Sequence, residues 1–216
     1  MSVRRPSPTR TVQVQAPVID HATDPVHGPA LADAPEPLAR DWLPAEGEER
    51  MLMTLATVGR DGFPSTRTVM LSDFDGGRFH FHTDTRSRKV ADLRADPRVA
   101  LTLLWPAFTR QLVVQGTALP VTPDEAADAY ARRSAYLRQL AWVNDTTMAR
   151  RPLRAREERW TQFAVEHPEP EPPDTWVGYA VRPHRYVFWV SHPAAPSRRL
   201  EFVRAPGGWR RSVLPG

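Results

Sequence analysis

Two Asp-Gly breaks constrain this chain more than any other feature. The runs MLMTLATV (51–58), FPSTRTVMLSDF (63–74) and RFHFHTD (78–84) are rich in apolar, β-branched and aromatic residues, and RDG and DGG separate them at hairpin spacing. That pattern reads as a meander. Ser87 then reads as the N-cap of a short helix, with Val90 and Leu93 as its buried stripe and Asp96-Pro97 as its stop. RVALTLLWPAF (98–108) and RQLVVQGTALPV (110–121) form a second hairpin, the first run so continuously apolar that burial on both faces is expected. TPDEAADAYARRSAYLRQLAWV (122–143) and RPLRAREERWTQFAVEH (151–167) have helical spacing, and HPEPEPPD stops the second. WVGYAVRPHRYVFWVSH, RRLEFVR and GWRRSVLPG return to strands, a short helix is expected near Pro37–Leu43, and no internal repeat is visible. The fold class is therefore α+β, a Greek-key or split β-barrel with flanking helices rather than a parallel sheet.

With 216 residues the chain suits one domain. Residues 1–35, rich in Pro, Ala and short polar residues without a sustained period, read as a mobile tail, and the folded domain is expected over 36–216. The absence of cysteine excludes disulfides, thiolate metal sites and a Cys nucleophile. With no signal-like apolar stretch near Met1 and no run of membrane-spanning length, a cytoplasmic location is expected. The net charge of +4 comes from arginines interleaved with Asp and Glu, not from a basic block, which argues against nucleic acid as a partner. Neither GxGxxG nor a P-loop occurs, and the seven histidines show no metal-ligand spacing.

Lys89 is the only lysine; arginine fills the rest of the 29 Lys+Arg positions. It follows Ser87 and Arg88 at a helix start, where free backbone N–H groups and the positive dipole end favour an anion. Arg67, in the middle of an apolar strand, also needs a partner. Guanidinium forks and a compact ammonium together suit the phosphate of a small cofactor. The alternative is a solvated helix start whose charges pair with Asp84 and Asp92. Gln111 offers an amide to a heteroaromatic edge or is an ordinary rim residue, and Trp189 and Arg199 supply a flat wall and a cation or are simply a core and a surface residue.

The order of LATVGRDGFPSTRTVML, FHTDTRSRKVADLRADPRVAL, RQLVVQG, AWVNDTT, and WVGYAVRPHRYVFW followed by RRLEFVR and GW resembles the pyridoxamine 5′-phosphate oxidase family, from about residue 38 to the C-terminus. The resemblance implies an FMN-binding split β-barrel homodimer, with a C-terminal dimerisation segment at about 174–216. By position it implies FMN contacts from Arg67, Thr68, Val69 and Met70, from Thr83, Ser87, Arg88 and Lys89 around the phosphate, and from Gln111. Trp189 and Arg199 complete the site from the second subunit. His82 stands at a family Tyr, and Thr146 and Thr147 stand at a family Gln-Ser pair.

The substrate side departs from the vitamin-salvage enzymes. Ser72 replaces their lysine, and Ala195-Pro196-Ser197-Arg198-Arg199 replaces an R-L-H-D-R segment in which only the final Arg is kept. Arg133 matches, but Ala129 and Leu137 occupy the places of Tyr and Ser, with Tyr130 one residue out of register. The serine after the strand is similar to that of the phenazine-biosynthesis flavin oxidases, although their R-L-H element is missing too. The expected activity is an FMN-dependent oxidase of a small reduced heterocycle in specialised metabolism, with hydride passing to flavin N5 and O₂ returning the flavin with release of H₂O₂. Ser72, Arg133 and Ser197 are the substrate-binding candidates, Arg133 and Arg199 orient an anionic or carbonyl group, and His192 is a candidate proton acceptor. The alternatives are a pyridoxamine or pyridoxine 5′-phosphate oxidase with a rewired pocket, a flavin-binding protein without oxidase activity, and a deazaflavin-binding relative.

Overall fold

A computed structural model describes residues 19–44, 51–105 and 109–216. Its strands form one curled antiparallel sheet in the order β2 (Pro64–Met70), β1 (Leu52–Val58), β5 (Arg98–Leu104), β6 (Arg110–Pro120), β7 (Trp176–Val190), β4 (Arg78–Asp84), β3 (Asp73–Asp75). The second half of β7 also pairs with β8 (Arg198–Ala205), which pairs with β9 (Gly208–Pro215). Ser72 N–H donates to the His80 carbonyl (2.8 Å), carrying the chain from β2 across to β4 and closing the half-barrel. The expected α+β split barrel is the observed architecture.

Register explains what the sheet buries. Leu55, Leu101, Val114, Tyr186 and Phe202 stand opposite one another on successive strands and are wholly buried. At roughly 1.5–3 kcal/mol per large apolar side chain, this inner face supplies most of the drive to fold. Arg67 pairs with Leu55 and so extends the same row as its polar end member. Alternation sends Thr68, Thr54, Thr102, Val113 and Val187 to the outer face. A register shift between Gln115 and Gly116 bends β6 against β7, and an added Cβ at Gly116 would lie 2.5 Å from the Arg182 carbonyl oxygen, so only glycine allows that approach.

Several expectations are corrected. The predicted strand 63–74 is two strands, because the chain turns at Leu71-Ser72 to reach β4. The helix expected over 122–143 is two helices, α3 (Pro123–Ala131) and α4 (Ala135–Val143), because Ser134 accepts a hydrogen bond from Leu137 N–H and starts the chain afresh. β5 is buried on one face only, with Leu104 on its outer face 44% exposed; positions 106–108 lie outside the described residues. α5 (Thr146–Ala149) was not expected, whereas α1 (Pro35–Trp42), α2 (Arg88–Ala95) and α6 (Leu153–Glu166) fall near their predicted places. Of the tail expected through residue 35, residues 1–18 lie outside the described residues, and 19–34 are packed on the domain. Val26 is wholly buried, His27 Nε2 donates to the Val190 carbonyl (2.9 Å), and Arg198 Nε donates to the Val26 carbonyl (2.5 Å). Packing therefore begins well before residue 36. No helix among the described residues is long and apolar enough to cross a membrane.

Candidate functional site

α2 packs against β1 and reaches β4 through Lys89 and β2 through Asp92, and the cations gather there. Lys89 Nζ donates to Thr83 Oγ1 (2.9 Å), and the Thr83 and Ser87 hydroxyls lie 3.5 Å apart. Burial, then the neighbouring Arg67 charge, pulls Lys89 below the usual lysine range, with Asp84 partly offsetting. Ser87 occupies the N-cap position, yet its side chain makes no capping bond and the first turn holds no acidic residue. Two cations, a spare hydroxyl and an uncapped helix start make a cradle for an anion.

Arg67 is held rather than free. It donates to Thr57 Oγ1 (2.7 Å), the Leu55 carbonyl (3.3 Å), Ser65 Oγ (3.1 Å) and Asp92 Oδ2 (3.5 Å), while Thr57 donates to the same Asp92 oxygen (2.8 Å). Of the pairings weighed in the sequence, Asp92 thus takes Arg67, and Asp84 takes Arg86; neither bonds Lys89. Arg88 points to solvent beside Asp61 (3.6 Å). Thr68, Val69 and Met70 follow on β2, the end strand of the sheet, whose backbone is available along its open side. Thr146 and Thr147 stand exposed on α5, whose N-cap Asp145 is 3.8 Å from Arg86 and so tethers this helix to the turn before α2.

A second group stands elsewhere. Gln111, Trp189 and Arg199 pair directly across β6, β7 and β8 and share the outer face, flanked by Leu104. Three strand spacings separate β6 from β2, about 14 Å. One chain therefore does not unite this row with the Lys89 cradle. Ser197 and His192 lie on the loop between β7 and β8, where the His192 ring is 4.5 Å from His21 and 5.3 Å from His27, away from the cradle.

The third group stands on the face of β4 opposite the core residues Phe79 and Phe81, where Trp176 at the start of β7 meets α3. His82 Nδ1 and Ser72 Oγ share a hydrogen bond (2.9 Å), and the imidazole stacks on Trp176 (5.3 Å between centroids, 8° between planes). The Arg133 guanidinium lies 4.6 Å from the same indole centroid. Burial, then the charges of Arg133, His80 and Arg132, lowers His82 to about 4, so it is neutral near pH 7. Gly178 faces His82, and an added Cβ there would come within 2.7 Å of the ring. Tyr130 is buried, with its hydroxyl donating to the Arg138 carbonyl (3.0 Å). Ser72 and Arg133, chosen from sequence, are thus brought together with His82, and Ser197 is not among them.

Similar proteins fix the family. The family model described as "Pyridoxamine 5'-phosphate oxidase" matches residues 40–169, well over half of the chain. The chain belongs to the pyridoxamine 5′-phosphate oxidase family. A Caulobacter vibrioides relative named pyridoxine/pyridoxamine 5′-phosphate oxidase is 35% identical over 195 residues, covering 86% of this chain and 87% of the relative. One of the same name from Myxococcus xanthus is 40% identical over 169 residues, covering 75% and 80%. The solved structure of PhzG from Burkholderia lata 383, in complex with tetrahydrophenazine-1-carboxylic acid, superposes with TM-score 0.75 at 22% identity, covering 92% of this chain and 98% of that one. A pyridoxamine 5′-phosphate oxidase-related, FMN binding protein from Nostoc punctiforme PCC 73102 gives 0.61 at 19% identity, covering 77% and 87%. At these identities the two structures speak to the fold.

Within this family member, sequence reasoning missed Thr57 and Trp176, and it named Asp92 only as a partner for the charges of the helix start, not for Arg67 on β2. Thr57 and Asp92 are buried polar residues that fix Arg67, and a buried aspartate needs such a partner. Asp92 lies two residues after Val90 on the predicted helix, so only the packing of α2 under β1 reveals its direction. Trp176 opens a strand, and its neighbours come from the pairing of β4 with β7.

Proposed function

We propose that this protein is an FMN-dependent oxidase of a small reduced heterocycle, acting as a homodimer. The observation that carries the reading is the Lys89 cradle, a half-buried ammonium that among the described residues hydrogen-bonds only to Thr83, beside an anchored guanidinium at an uncapped helix start. These residues fit a phosphate. Lys89, Ser87, Thr83 and Arg67 would hold that of FMN, with Arg88 at the rim. When bound, FMN supplies a two-electron acceptor that takes hydride from substrate and passes the electrons to O₂, giving H₂O₂.

The chain's own contribution is binding, orientation and exclusion of water. Arg67 is kept in place by Asp92 and Thr57, so no reorganisation is needed as the anion arrives. A second copy of the chain, laid against the outer face, would bring its Gln111, Trp189 and Arg199 to the cradle. Leu52 and Leu104, 59% and 44% exposed on that face, support such a contact.

The neutral Ser72–His82 pair supports a substrate other than a vitamin B6 phosphate. Where the salvage enzymes, by resemblance, have a lysine, this chain offers an uncharged hydrogen-bonding pair. Leu137 brings no hydroxyl, and Tyr130 is committed to the Arg138 carbonyl. Losing charge-assisted contacts worth roughly 1.5–3 kcal/mol each weakens phosphate binding by orders of magnitude. The 33–40% identity to curated relatives named pyridoxine/pyridoxamine 5′-phosphate oxidase supports the second reading, salvage with a rewired pocket. Anaerobic mixing of the flavin-loaded protein with reduced heterocycles, tetrahydrophenazine-1-carboxylic acid among them, and with pyridoxine 5′-phosphate separates the two. Fast flavin bleaching by a heterocycle alone is expected. Fast bleaching by pyridoxine 5′-phosphate establishes salvage, and bleaching by neither favours a flavin carrier.

A further inference from the structure

A cleft of about 390 Å³ opens at the other end of the barrel, where the β3–β4 turn, the bend of β7 and the β8–β9 hairpin meet. Arg78 starts β4 and Thr83 nearly ends it, so this cleft is about 17 Å from the Lys89 cradle. Its wall holds Arg78, Arg182, His184 and Arg204 against a single lining carboxylate, Glu36. Glu36 is engaged by Trp209, whose Nε1 donates to it at 2.8 Å. Arg78 has Asp75 at 3.7 Å, and Arg204 rests on the Trp209 ring (5.0 Å). Among the described residues Arg182 has no side-chain hydrogen bond or ion pair.

We propose that this cleft binds a small phosphorylated metabolite through Arg78, Arg182 and Arg204. The three guanidiniums come from three different strands, an arrangement suited to a tetrahedral oxyanion approached from several sides rather than to one flat carboxylate. An excess of positive charge in a concave wall also concentrates anions there. The open volume lies at the lower end of the range for small-molecule sites and exceeds what a bare phosphate needs. The β7 bend that presents Arg182 exists because Gly116 lets β6 pass close to the Arg182 carbonyl, so the cleft is built into the sheet.

The test is calorimetric titration of inorganic pyrophosphate into the protein saturated with FMN, so that the Lys89 cradle is filled, with citrate as the carboxylate control. Expected are one pyrophosphate per chain, at least tenfold weaker citrate binding, and at least tenfold weaker pyrophosphate binding in Arg182→Ala and in Arg204→Ala. Both side chains are exposed, so the fold should survive, and an unchanged melting temperature would verify that. No saturable binding, equal affinity for citrate, or unchanged pyrophosphate affinity in both Arg182→Ala and Arg204→Ala would overturn the proposal while leaving the oxidase reading untouched.

Discussion

His82 shows how one position can carry both a chemical and a thermodynamic consequence. Its folded value of about 4 lies below the ordinary 6.5 because burial and the Arg133 charge disfavour the imidazolium. Between those values the unfolded chain binds the proton and the folded chain does not. The stability present above pH 6.5 is therefore lost progressively as the pH falls toward 4, by at most roughly 3 kcal/mol. His80, lowered chiefly by burial, adds to the same slope. In His82→Asn the pH dependence of urea midpoints across this window should flatten; a slope identical to wild type would show that His82 is not the titrating group. The type of residue at position 82 was legible in the sequence, but its neutrality was not. Trp176 reaches it only through strands paired across the length of the chain.

At the scale of elements, local turn chemistry and capping carried the sequence reading furthest. The two Asp-Gly hairpins, the stop at Asp96-Pro97 and the second hairpin all stand where expected, because those signals act within a few residues, whereas the meander does not, since β2 and β4 lie far apart in the strand order. The reading failed where tertiary contacts decide. The periodicity of 122–143 continued through a break that Ser134 caps, and the 19–34 segment, poor in pattern, is held by backbone carbonyls accepting from Arg198 and by the wholly buried Val26. Composition cannot show such anchoring, since its partners lie on β7, β8 and β9. Val26→Ala should accordingly lower stability by about 2 kcal/mol, measured by chemical denaturation. No change would mean that the segment is not docked in solution. Of the candidate site, Lys89 and Arg67 were legible as cations in need of a partner, while the choice of Asp92 over Asp84 required the packing of α2 under β1.

For the whole molecule, the decisive fact is that one chain divides its family-matched cofactor residues between the cradle at β2–α2 and the outer row on β6–β8. In the proposed homodimer they would be reunited, each site drawing its cradle from one copy and its Trp189 and Arg199 from the other. The outer face, with exposed Leu52 and Leu104 beside Thr54, Thr102 and Val113, is the surface on which the second copy would sit. FMN titrations of Lys89→Ala, of Trp189→Ala and of the two chains co-expressed test this directly. Each variant alone should bind FMN at least tenfold more weakly than wild type, consistent with losing roughly 1.5–3 kcal/mol of contact. Random pairing of the co-expressed chains should restore wild-type affinity at about a quarter of the sites, because half the dimers then carry one intact site. Wild-type affinity in Lys89→Ala, or no recovery on co-expression, would contradict the account.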